Sequence, residues 1–229
     1  MKPAGEHVNQ TYSYLSLRKA VGWIGILLPL ALVTGSILIF GEKGIRENIS
    51  SYYFSGMRDL FVGSLSAIAL FLFFYKGYDK WDNRAASLAG LFALGIAFFP
   101  TVPDGPYNLS ATIHFICAAT FFVILSAMSI FLFTRKKPEP TKRKLVRNKI
   151  YIICGLVMTI SMAVILVFFI FFGKNHPDSR LVFWGETVAL VAFGISWLTK
   201  GGTLYPDKKI PSPEKMANKK TVKTTGKAE

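Results

Sequence analysis

Six apolar blocks, at residues 20–40, 60–77, 85–102, 110–134, 150–173 and 181–199, leave this chain few ways to fold. Each is near the roughly 20 residues that a helix rising about 1.5 Å per residue needs to cross about 30 Å of hydrocarbon. The pattern predicts an all-α protein, a polytopic membrane bundle of six transmembrane helices. It divides the chain into a segment 1–19, a bundle 20–200 with a basic loop at 135–149, and a Lys-rich tail 201–229 expected to be disordered.

Charge orients the bundle. Of 27 Lys and Arg residues, 22 lie on one side if the blocks alternate across the bilayer, and only Lys43, Arg46, Arg58, Lys174 and Arg180 lie on the other. Cytoplasmic loops collect Lys and Arg during insertion, so both termini are expected in the cytoplasm. The first block is too long for a signal-peptide core and lacks a small-x-small cleavage site, so it reads as a retained helix.

Composition agrees with that class. Hydrophobic residues make up 52% and charged residues 17%, too few to cover a soluble surface. A net charge of +14 raises the question of nucleic acid, but the basic residues sit in linkers beside the spans, where orientation requires them. Arg135-Lys136-Lys137 with Lys142-Arg143-Lys144 instead suits anionic lipid headgroups. Cys117 and Cys154 fall at different depths, too far apart to bridge, and read as packing residues.

The segment 41–59 is the longest outer connection and mixes polar and aromatic residues, as binding or lid segments often do. Tyr52, Tyr53 and Trp184 on the outer side, with Trp23 and Trp197 on the inner, read as an interfacial aromatic belt. The third block is rich in Ala and Gly, which predicts close approach to its neighbours and a central place. Pro29 and Pro100 are expected to kink the first and third helices. Asn108-Leu109-Ser110 matches a glycosylation acceptor, and Gly201-Gly202 ends the last helix.

Ionisable side chains are costly in hydrocarbon, so their positions are informative. Arg58, Asp59, His114 and Glu186, with Asp104 in a turn above, all fall toward the outer leaflet, and the inner leaflet has no comparable embedded acid or histidine. They are the candidate ligand-binding residues, with Tyr53 framing them. Each also has a plain structural reading. Asp59 can favour a helix N-terminus, Arg58 can reach Glu186 as an ion pair, and His114 can bond a neighbouring carbonyl or hydroxyl.

Three mechanisms suit such a cluster. A polar pocket can bind a lipid headgroup or small polar ligand without chemistry, Arg58 meeting a phosphate. Glu186 and His114 can titrate in a proton-coupled carrier or sensor. His114, Asp59 and Glu186 can hold a metal against a lipid ester or amide, which resembles ceramidase-type hydrolases in outline, although those use several histidines. The first reading is preferred; it needs no enzyme activity, metal or cofactor.

The stretch Ser50-Ser51-Tyr52-Tyr53 with Gly56, Arg58-Asp59 and Gly63 resembles a group of uncharacterised bacterial six-helix membrane proteins carrying a domain of unknown function. Phe73-Phe74-Tyr75-Lys76-Gly77-Tyr78-Asp79 and Leu181-Val182-Phe183-Trp184-Gly185-Glu186-Thr187 are similar to it too. The resemblance implies a bacterial inner-membrane protein and carries no substrate.

Overall fold

The computed structural model describes residues 4–102, 108–135, 138–173, 176 and 179–206. The expected tail beyond residue 206 lies outside the described residues. Among the described residues six α-helices follow one another: α1 (Ala4–Leu38), α2 (Arg58–Phe73), α3 (Lys80–Phe98), α4 (Leu109–Ala127), α5 (Lys142–Phe171) and α6 (Leu181–Lys200). A 3₁₀ turn, Ser50–Phe54, interrupts the first connection, and a π-helical turn, Met128–Leu132, continues α4.

Four helical stretches are long and apolar enough to cross a membrane: Leu15–Leu38, Leu109–Leu132, α5 and α6. α2 has only 16 residues, and the 19 of α3 include Lys80, Asp82 and Arg84. Exposed apolar side chains are concentrated on α5, where Ile153, Leu156, Ile160, Val167 and Ile170 face outward. That surface suits acyl chains, not water.

Three helices start well before their apolar blocks, α3 by five residues at Lys80. α1 begins at Ala4, not at residue 20, because no proline lies between Ala4 and Pro29 to stop it. Hydropathy marks where a helix meets hydrocarbon, while its hydrogen bonds run on until something breaks them. α5 begins at Lys142, where the Thr141 hydroxyl accepts from the Lys144 N–H. Half of the expected basic loop is therefore helix. Pro100 lies beyond the end of α3 and stops it, where a kink was expected.

The helices pack as a closed ring in which each touches its sequence neighbours and α6 returns to α1. α1 and α6 meet through glycine. A Cβ on Gly194 would lie 2.5 Å from the Gly22 carbonyl oxygen, and one on Gly22 would lie 2.8 Å from that of Gly194. Small residues allow this approach, which dispersion then rewards. α3 follows the same rule: Ala86, Ala89, Ala93 and Ala97 are fully buried, and a Cβ on Gly90 would meet the Ala69 carbonyl of α2 at 2.9 Å. It packs chiefly on α2 and α4 and does not occupy the centre.

The end carrying the first connection is called the loop end, and the end carrying residues 201–206 the tail end. At the tail end the Asp79 side chain accepts from the N–H groups of Trp81 and Asp82, while Asp82 accepts in return from the Asp79 N–H. This capping box starts α3 tightly after α2. Arg135 Nη1 reaches Asp79 Oδ2 at 2.5 Å and pins that turn to the end of α4. Lys144 donates to the Phe133 carbonyl, Arg147 to that of Tyr205 and Arg143 to that of Pro206. Cations thus meet the free carbonyls near helix C-termini, a favourable placement. α6 ends in a Schellman motif at Gly202 (φ 74°), with Thr203 N–H donating to Leu198 and Gly202 N–H to Thr199.

Trp197 is buried among Tyr75, Phe133 and Phe193, so it belongs to the core and not to an interfacial belt. Trp23 and Trp184 are exposed, as an interfacial place requires. Cys117 and Cys154 are free and buried.

Gly194→Ala, ordinarily a gain for a helix, is expected to destabilise the protein by about 1–3 kcal/mol through overpacking. Gly63→Ala, whose Cβ meets nothing, should be neutral or stabilising. Unfolding of both variants in one detergent checks this pair. Hydrogen bonds from the Asp82 N–H and Arg135 hold the Asp79 carboxyl below its ordinary 3.8. A depressed carboxylate stabilises the fold above its ordinary value, and that contribution is lost as pH falls through the folded-state value. Between pH 6 and pH 3 the melting temperature should fall further in the wild type than in Asp79→Asn.

Candidate functional site

The loop-end site is assembled around two consecutive residues of the first connection, Ile49 and Ser50. Glu186, in the second turn of α6, accepts the Ile49 N–H on Oε2 at 2.6 Å. One turn earlier the Phe183 N–H, among the first of α6 and without a helical acceptor, donates to the Glu47 carbonyl at 2.9 Å. From the other side His114 of α4 reaches Ser50 Oγ through Nε2 at 2.8 Å. Its Nδ1 lies 2.8 Å from the Phe99 carbonyl, just past the end of α3. A carbonyl can only accept, so Nδ1 carries the proton, and in the neutral ring Nε2 accepts from the Ser50 hydroxyl.

Local sequence builds the rest of the connection. Asn48 Oδ1 accepts the Ser51 N–H at 2.7 Å, an Asx turn that starts the 3₁₀ segment. Arg46 bonds Glu42 at 2.9 Å and donates to the carbonyls of Ser51 and Phe54. Tyr52 is 0% exposed, with its ring against Phe183 and its hydroxyl accepting from the Arg46 N–H, so it fills the ring of helices and does not anchor at an interface. Burial pushes its phenol above the ordinary 10.0.

Beneath this segment lies a cavity of about 580 Å³, within the range of small-molecule sites. Asn48, Ser50, His114 and Glu186 line its loop end. Phe115, Phe122 and Val123 of α4 and Met162, Leu166 and Phe169 of α5 line most of its length. α4 and α5 pack more loosely than most neighbouring pairs. They are held at the loop end by the Phe115 and Phe169 rings, 5.8 Å between centroids. Toward the tail end the π-helical turn meets α5, where a Cβ on Gly155 would lie 2.4 Å from Ile130. Ser126 and Thr159 also line the cavity, and the Thr159 hydroxyl is bonded to the Gly155 carbonyl.

Of the residues singled out in the sequence, His114 and Glu186 line this one cavity. Arg58 and Asp59 do not. Both are exposed in the first turn of α2. Arg58 lies over the Tyr53 ring, 4.4 Å from its centroid, and donates to its hydroxyl at 2.6 Å. The expected Arg58–Glu186 pair is replaced by these contacts and by the Ile49 N–H. Asp104 lies outside the described residues. Asn108 caps α4 by accepting the Ala111 N–H, which gives that residue a structural task.

Asn48 and Ser50 belong to the site although the sequence reading passed over them. Their signal was faint: small polar residues in a connection are ordinary, and only a buried acceptor opposite gives them meaning. Asp82 was missed as well. It is 0% exposed at the tail end, so that end also carries a buried acid. Among the described residues no three His, Cys, Asp or Glu side chains cluster as metal ligands. The set His114, Asp59 and Glu186 is not assembled, since Asp59 faces away from the cavity. None of the protein-family models, curated proteins or solved structures compared with the chain matches it.

His114→Ala strips Ser50 Oγ and the Phe99 carbonyl of a partner and opens a space, a loss of about 2–4 kcal/mol. Hydrogen exchange at residues 46–54 is expected to rise in this variant, while exchange at α1 and α6 near Gly22 and Gly194 stays slow.

Proposed function

We propose that the protein is a six-span protein of a bacterial inner membrane, both termini cytoplasmic, that binds an amphiphile in the seam between α4 and α5. One observation carries the binding reading: a sizeable cavity with its acid and histidine at one end and a mainly apolar remainder, flanked by a helix whose outer face is apolar. An amphiphile matches that gradient, with its polar head under the 46–54 segment and its chain along α4 and α5. The first reading from sequence, a headgroup held by Arg58, gives way to one in which the head meets Asn48, Ser50 and Glu186.

The uneven distribution of Lys and Arg supports the orientation, and the same residues at the tail end suit an anionic leaflet surface. The hydrolase and carrier readings draw less support. Both ring nitrogens of His114 are engaged, and one Glu186 oxygen is tied to the backbone.

Two measurements test these proposals separately. Lys43→Cys should react with an impermeant maleimide in intact cells and Glu139→Cys only after permeabilisation; the reverse pattern overturns the orientation. Lipid extracts of the purified protein should contain an amphiphile that is depleted in Ala119→Phe, which places a ring in the cavity from α4. Identical extracts from the two proteins overturn the binding reading.

A further inference from the structure

We infer that this cavity selects a single-chain amphiphile whose head donates hydrogen bonds, a long-chain alcohol or amine, over one with an anionic head or two chains. The inference rests on the amphiphile-binding reading and adds the class of ligand.

The head follows from the polar groups left open. Glu186 uses Oε2 on the Ile49 N–H, which leaves its second oxygen as an acceptor at the cavity it lines. Asn48 uses Oδ1 on the Ser51 N–H, which leaves its amide nitrogen as a donor. A hydroxyl can donate to the first and accept from the second, and an ammonium can donate to the first. Among the described residues no Lys or Arg lines the cavity, and Arg58 is held on Tyr53 outside it. An anionic head would be buried there with no cation among the described lining residues to offset it.

The chain follows from shape. The lining runs from His114 to Ser126 on α4, about 18 Å of helix. A volume of about 580 Å³ over that length leaves a mean cross-section near 30 Å², room for one extended chain. Ala118 and Ala119 keep the α4 wall low along this path. Entry is sideways from the bilayer, through the loosely packed seam between α4 and α5.

The test uses chain-matched probes in lipid nanodiscs: diazirine-tailed dodecanol, dodecylamine and dodecanoate, and a diazirine-tailed phosphatidylcholine. Crosslinked peptides are mapped by mass spectrometry. The alcohol and amine are expected to label the wall near Phe122 and Met162, and Ala119→Phe should abolish this. Dodecanoate and the phospholipid should label that wall about tenfold less, while labelling the outer face of α5 equally. Glu186→Gln should reverse the order, because its amide must keep the oxygen on the Ile49 N–H and turn its NH₂ toward the cavity. If that variant does not fold, the four probes on the wild type decide the matter. Equal labelling of the wall by dodecanoate or by the phospholipid overturns the assignment of class. If no probe labels the wall above the Ala119→Phe background, the amphiphile reading itself fails.

Discussion

Glu186 and His114 approach the first connection from two helices and hold it at adjacent residues, Ile49 and Ser50. A buried backbone N–H such as that of Ile49 has no water to bond and costs several kcal/mol if left alone. An embedded carboxyl and imidazole carry the same liability. Joining them removes both. Because His114 also takes the Phe99 carbonyl at the end of α3, one side chain ties α3, α4 and the connection together. Tyr52 can then sit fully buried inside the ring, and the 3₁₀ segment becomes the roof of a cavity instead of a free loop.

The ring beneath that roof is uneven. α1 and α6 approach until backbone meets backbone at Gly22 and Gly194, and α2 and α3 do so at Gly90 and Ala69. α4 and α5 cannot follow, since Phe115, Phe122, Met162 and Phe169 stand between them. They meet through the Phe115 and Phe169 rings at the loop end and where Gly155 admits Ile130, beside the π-helical turn. Such turns re-aim the residues that follow them, and here Ser129 bonds Ser196 of α6 and the Tyr151 carbonyl of α5. The seam is therefore fastened at both ends and open between.

Much of this was legible in the sequence, and the limits have physical causes. The helices follow from apolar run length, and the embedding of Glu186 and His114 from depth along those runs. Which faces they share does not follow. Arg58 and Asp59 fall at the correct height yet point outward, because depth fixes position along a helix and says nothing of rotation about its axis. Tyr52 and Tyr53 are neighbours with opposite fates for the same reason: a 3₁₀ turn sends one ring into the bundle and leaves the other beside Arg58. Helix starts were misjudged where polar sequence continues a helix beyond its apolar run, at Ala4, Lys80 and Lys142. Asp82 was hidden by its company, since a run of charged turn residues reads as solvated until the capping box folds one of them inward.

The open seam bears on what the molecule does in a bilayer. Unfilled space in a packed interior is costly, and a seam of about 580 Å³ that opens to its surroundings is filled by what lies around it. Water is a poor filler along α4 and α5, where the walls are mainly Phe, Ala, Leu and Met. Under the 46–54 segment the balance reverses, because Asn48, Ser50 and Glu186 offer hydrogen bonds that a methylene chain cannot use. A molecule polar at one end and apolar along the rest satisfies both regions. Neither a soluble metabolite nor a plain hydrocarbon does.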